Sequence, residues 1–164
     1  MPEPNPENRE IEISPREKLR LMELEGKYVF HGSAGMVDIL EPSQPHSFEE
    51  SEGKMKKHGD PSVCASGFAD VAIFTAIINS KNFPKNHFSA YGVREDGTLH
   101  FETTRDILEN VKSKKGFVYV LDKTDFKEFE DSTMELRSVK KTTPEEVVEV
   151  ATDDLPPNID IKNK

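Results

Sequence analysis

At 164 residues and 18.6 kDa the chain has the length for one domain with short ends to spare. Its 22 Lys and Arg stand against 31 Asp and Glu, a net charge of −9. That balance argues against a nucleic-acid duplex or an anionic membrane surface as partner, because both require a basic face. No apolar run approaches the roughly 18 residues that span a bilayer. The start MPEPNPENREIE has neither the basic opening nor the apolar stretch of a signal peptide, and the lone Cys64 excludes an internal disulfide. A cytoplasmic location is expected.

Residues 1–13, with Pro2, Pro4 and Pro6 and no apolar period, read as a flexible arm, and residues 14–152 as a single domain. Ser14-Pro15-Arg16-Glu17 announces a helix: a capping hydroxyl, a proline suited to the first turn and a glutamate three residues after the cap. Gly26 is placed to end it. Lys27 to His31 is rich in strand formers and runs into Gly32-Ser33. The polar stretch from Glu41 to Pro61, punctuated by Pro42, Pro45, Gly53 and Gly59, reads as a long loop, a feature often tied to function.

Ser62 to Ser66 leans towards strand, and Asp70 to Ile78 is apolar nearly all round, with length and two alanines favouring a buried helix. Asp96-Gly97 between two β-leaning runs predicts a hairpin over residues 88–102. Thr103 or Thr104 is expected to cap a short helix that Gly116 ends. Phe117 to Leu121 is the clearest buried strand. Phe126 and Phe129 show a helix-like spacing, Glu135 to Val139 and Glu146 to Val150 are further strand candidates, and residues 153–164 read as a tail. Strands mixed with three or four short helices, without regular alternation, indicate α+β.

Few residues stand out as chemical. His31 lies at a strand end, where it either caps a carbonyl or meets a ligand. His46, His58, Cys64 and His87 match no metal-ligand spacing, so no metal is expected, and Cys64 reads as a buried, inert thiol. No GxGxxG, phosphate loop or GxSxG is present. Glu145 and Glu146 read, on their own, as surface carboxylates.

Three segments in order alter that reading: Tyr28-Val29-Phe30-His31-Gly32-Ser33 with Asp38-Ile39-Leu40-Glu41-Pro42, then Val63-Cys64-Ala65-Ser66 leading into the helix with Ala72 and Phe74, then Pro144 to Val150. Together they resemble the ADP-ribosyltransferase superfamily. The "HGS…ILEP" opening is most similar to its small bacterial members, the rifampicin-modifying enzymes and their relatives. The resemblance covers roughly residues 27–151 and implies a mixed, split β-sheet with short helices enclosing NAD.

By that resemblance His31 would bond the adenosine ribose, the Gly32 backbone would hold the nicotinamide amide, and Ser33 would reach the same dinucleotide. Phe74 falls where polymerase-type members set an aromatic ring against nicotinamide, with Tyr28 or Tyr91 as further contributors. The family's late carboxylate would be Glu145, or Glu146 if the register slips by one. Arg94, Arg105, Lys54, Lys56 and Lys57 are candidates to meet the pyrophosphate. The implied activity is mono-ADP-ribosyl transfer or NAD glycohydrolysis, through positive charge developing on the sugar as in glycoside cleavage. The acceptor would be a protein, a nucleic acid or a small molecule. Where polymerase-type members carry a Tyr on the second strand this chain has Val63 or Cys64, a departure that keeps open a catalytically silent nucleotide- or protein-binding module on the same fold.

Overall fold

The structure, a computed structural model, describes residues 12–44, 46–49, 54–57, 59–84, 88–130 and 132–162. Most of the expected N-terminal arm, residues 1–11, lies outside them. Helix α1 (Pro15–Leu24) starts as its sequence dictates, with the Ser14 hydroxyl accepting the Glu17 N–H at 3.1 Å and Pro15 in the first turn. The Gly26 N–H bonds the Glu23 carbonyl just past its end. Strand β1 (Tyr28–Ser33) follows. The expected loop at 41–61 contains a hairpin, β2 (His46–Glu49) with β3 (Lys54–Lys57). Its polar residues lack the apolar alternation by which a strand is read from sequence.

Strand β4 (Val63–Ala65) leads into α2 (Ala69–Ile77), seven of whose nine residues are buried. The hairpin of β5 (Ser89–Val93) and β6 (Leu99–Thr104) forms as expected, closed where the Arg94 N–H meets the Thr98 carbonyl. Helix α3 (Arg105–Asn110) runs into a 3₁₀ turn at Val111–Ser113. Gly116 does not end that helix: it lies within β7 (Lys115–Asp122). Nor do Phe126 and Phe129 share a helix, because a 3₁₀ turn at Lys123–Asp125 gives way to β8 (Lys127–Phe129), which pairs with β9 (Ser132–Ser138). Strand β10 (Glu146–Ala151) completes the sequence-expected set.

The segment read as a tail is folded. The Asp154 carboxylate accepts the Ala151 N–H at 3.0 Å and is buried, Leu155 packs on the core, and β11 (Asp160–Lys162) pairs in parallel with β6. Two short runs around Pro156-Pro157 carry no period, so only the docking surface reveals them.

The central sheet, ordered β1-β7-β10, is antiparallel throughout. Its two faces pack differently. Phe30, Val118, Val120, Val148 and Val150 meet α1 and α2, while Val29, Tyr119 and Leu121 meet Val63, Ala65 and Leu136 of a second sheet ordered β4-β9-β8. A third, mixed sheet, β11-β6-β5, sends Phe101 against Phe74 of α2. The architecture is α+β, and among the described residues no helix is long and apolar enough to cross a membrane.

Helix α2 sits directly on the sheet at two glycines. A Cβ on Gly32 would lie 2.1 Å from the Ala72 carbonyl oxygen, and one on Gly116 2.1 Å from that of Ala76. Any side chain there would push the helix away, so both positions require glycine for packing before any ligand is considered.

Candidate functional site

Beside β1 the second sheet makes one rung of pairing and stops. The Phe30 N–H bonds the Ser66 carbonyl at 2.8 Å and the Ser66 N–H bonds the Phe30 carbonyl at 2.7 Å. Continuing that antiparallel ladder would pair Gly32 with Cys64. Instead the His31 side chain intervenes: its Nδ1 lies 2.6 Å from the Cys64 carbonyl oxygen, occupying the acceptor that the next rung would use. Because hydrogen-bonding direction alternates along a strand, and Phe30 turns its polar groups towards β4, Gly32 turns its N–H and C=O the same way. They face the opening between the strands.

That opening is a cavity of about 230 Å³. His31 and Gly32 of β1, Cys64 of β4, Thr75 of α2, Tyr91 of β5 and Glu135 of β9 all border it. Full ligand pockets run to roughly 300–1,000 Å³, so this space would take only part of a larger ligand.

Burial pushes the His31 imidazole below its ordinary pKa, with the Cys64 carbonyl opposing in part. The ring is therefore neutral near pH 7. A carbonyl can only accept, so Nδ1 carries the proton and Nε2 is left as an acceptor. The ring packs edge-on to Tyr119 at 5.8 Å between centroids. The Tyr119 hydroxyl in turn donates to the Gly35 carbonyl and accepts the Val37 N–H, both at 2.8 Å, which ties down the loop after β1. Burial likewise raises the Cys64 thiol, which stays protonated, and raises Tyr91, where Glu135 and Cys64 act in the same sense.

The carboxylate at this site is Glu135. Its Oε1 accepts from Arg137 Nε at 2.9 Å and from Nη2 at 2.6 Å. The Arg137 side chain is 10% exposed and Glu135 40%, so the arginine is the anchored member and the carboxylate the one that meets solvent.

Of the residues singled out from sequence, His31 and Gly32 come together in the cavity. Glu145 and Glu146 do not join them. Glu146 lies opposite Val120, and β10 is two strand spacings, about 10 Å, from β1. Its carboxylate pairs with Lys18 of α1. Glu145 is exposed, its N–H bonded to the Val120 carbonyl. Phe74 is a core residue, tilted against Phe101 at 5.1 Å, and the aromatic rings lining the cavity are Phe30 and Tyr91, the latter edge-on to Phe74. Tyr28 packs against the core, and Ser33 accepts the Gly35 N–H at 3.3 Å; neither lines the cavity.

Among the cations weighed for a pyrophosphate, Arg94 borders a separate groove beside α1 and bonds His100, while Arg105 and Lys57 are exposed elsewhere. The Lys54 and Lys56 side chains lie outside the described residues. Lys81, which the sequence reading did not single out, has its Nζ 3.8 Å from where a Cβ on Gly35 would stand. The side chain of His46, and His58 and His87 altogether, also fall outside the described residues. Among the described residues no group of His, Cys, Asp and Glu is arranged to hold a metal.

Sequence reasoning passed over Glu135 because Glu135, Leu136 and Arg137 read as an ordinary half-buried strand. The one available signal was its alternation: Leu136 faces the core, so Glu135 and Arg137 share the other face. Chemically, the arrangement offers a hydroxyl-accepting Nε2, a peptide edge that matches a carboxamide's donor and acceptor, an aromatic wall and a carboxylate. Compared with protein-family models, curated proteins and solved structures, the chain gave no match.

Proposed function

We propose that the cleft between β1 and β4 binds NAD on an ADP-ribosyltransferase-like fold and breaks its nicotinamide–ribose bond. The products would be free nicotinamide and ADP-ribose, passed either to an acceptor or to water. One observation carries this reading: the His31 imidazole ends the β1–β4 ladder on the Cys64 carbonyl, so the Gly32 peptide edge, Tyr91 and Glu135 border a single cavity. Gly32 would hold the carboxamide through its N–H and C=O, His31 Nε2 would accept a ribose hydroxyl, and Tyr91 would flank the leaving ring. As the glycosidic bond lengthens, positive charge grows on the sugar, and a fixed carboxylate beside it lowers the barrier. Glu135, not Glu145 or Glu146, has the position for that role. The neutral thiol of Cys64 is no nucleophile here, and a single free cysteine suits the reducing cytoplasm.

The test is nicotinamide release from NAD by the purified protein. His31→Ala and Glu135→Gln should each lower the rate at least about a hundredfold, while Glu146→Gln stays within twofold of the parent. Undiminished release by Glu135→Gln overturns the assignment of the carboxylate, and undiminished release by both site variants overturns the site.

Val63 or Cys64, standing where polymerase-type enzymes carry a Tyr, favours a second reading as a nucleotide-binding module without turnover. That reading expects NAD to raise the thermal midpoint, since a ligand that binds only the folded state must stabilise it, with no nicotinamide released.

A further inference from the structure

The Arg137 guanidinium is held more firmly than an ordinary ion-pair partner. Its central carbon stands 3.6 Å from the centre of the Phe129 ring, a cation–π stack. Beside both lies Gly59, with φ of +82°, where an added Cβ would come 2.5 Å from Arg137 Nη1 and 3.3 Å from the Phe129 ring. Only glycine takes that backbone conformation at ease and leaves room for the guanidinium next to it. The Gly59 carbonyl is itself fixed by the Gln44 side-chain amide at 2.8 Å. The guanidinium is therefore stacked on the ring and flanked by the Gly59 backbone, with contacts from three separate segments of chain.

Arg137 donates to Glu135 through both Nε and Nη2, and the two bonds meet on one oxygen, Oε1. A planar fork locked in a stack sets the direction of its donors, so two of them converge on Oε1 and hold that oxygen in place. Glu135 itself borders the cavity. A lysine could supply the charge but neither the stack nor the paired donors.

We propose that Arg137, stacked on Phe129 with Gly59 against its Nη1, is a positioning residue that holds the Glu135 carboxylate for the substrate sugar in the β1–β4 cleft. This rests on the reading of that cleft as an NAD-cleaving site.

The experiment is steady-state nicotinamide release by the full chain carrying Arg137→Lys, Phe129→Leu, Glu135→Gln and the Arg137→Lys/Glu135→Gln double substitution. Arg137→Lys should lower kcat at least tenfold with KM for NAD within twofold. Phe129→Leu, which removes the stack and keeps the arginine, should lower kcat by a smaller factor in the same pattern. In the Glu135→Gln background Arg137→Lys should have no further effect on kcat, because its influence passes through that carboxylate. A merely structural role would instead lower the activity of both backgrounds alike. Equal losses in the two backgrounds, or parental kcat in Arg137→Lys, overturn this inference while leaving the cleft assignment intact. If the parent releases no nicotinamide, the cleft assignment falls and the inference falls with it.

Discussion

On its α2 flank β1 is packed so closely that a methyl group on Gly32 would meet the Ala72 carbonyl oxygen at 2.1 Å, whereas on its β4 flank the same strand stops pairing after one rung and borders a cavity of about 230 Å³. The first flank is apolar, with Phe30, Ala72, Phe74, Ala76, Val118 and Val120 all buried. The second shares Phe30 and Ala72 with it and, beside the apolar Ala65, Val71 and Met134, adds an imidazole, a thiol, a phenol and a carboxylate. The contrast shows how a three-stranded sheet can support a polar cleft. Close packing on one side holds the backbone of His31 and Gly32 still, so their polar groups can point into open space on the other without collapsing onto β4.

The packed flank is the easier to break. Phe74→Ala removes a fully buried ring between α2 and β6 and should cost about 3–5 kcal/mol in urea unfolding. Phe74→Leu sharpens the point: it should cost under about 1.5 kcal/mol and leave NAD affinity unchanged. A large loss of NAD affinity in a stably folded Phe74→Leu protein would return that ring to the binding site. Gly116→Ala, which touches the same helix from the start of β7, should destabilise by about 1–3 kcal/mol through overpacking. Parental stability in that variant would show that α2 can lift off the sheet freely, and the rigidity argued for β1 would fail.

The open flank predicts a smaller effect that depends on pH. The folded-state pKa of His31 lies below its ordinary value near 6.5, so in the window beneath 6.5 the unfolded chain takes up a proton that the folded imidazole refuses. Stability from this group is fully present above that value and falls as the solution is acidified. The urea midpoint of the parent should therefore drop more between pH 8 and pH 5 than that of His31→Gln. Parallel pH profiles for the two proteins would mean that the imidazole is not desolvated against Cys64.

Much of the fold was legible where local chemistry acts alone. Ser14, Pro15 and Glu17 specify the start of α1, Asp96-Gly97 specifies the β5–β6 hairpin, and the apolar run from Asp70 to Ile78 could only be a buried element. What escaped was marked by no local pattern. The β2–β3 hairpin is polar, and β11 gains its partner only from β6, some sixty residues earlier. Gly116 looked like a helix stop because glycine serves both chain reversal and close packing, and the sequence does not say which.

The candidate site divides in the same way. His31-Gly32 was legible as a strand end bearing a histidine, and it was part of one of the three segments on which the resemblance to NAD-cleaving enzymes rested. The carboxylate was not legible. Several Glu residues sit on late strands, and local alternation states which share a face but never which face meets His31. The chain by itself determined a glycine slim enough to lie beneath a helix, an imidazole able to seize a neighbouring carbonyl, and strands of fixed alternation. Only the tertiary structure decided that β9, by pairing with β4, brings Glu135 to the cleft, while β10, separated from β1 by β7, turns Glu146 to Lys18. The physical reason is that strand pairing between distant segments is set by how whole faces pack, a property no single stretch of sequence contains.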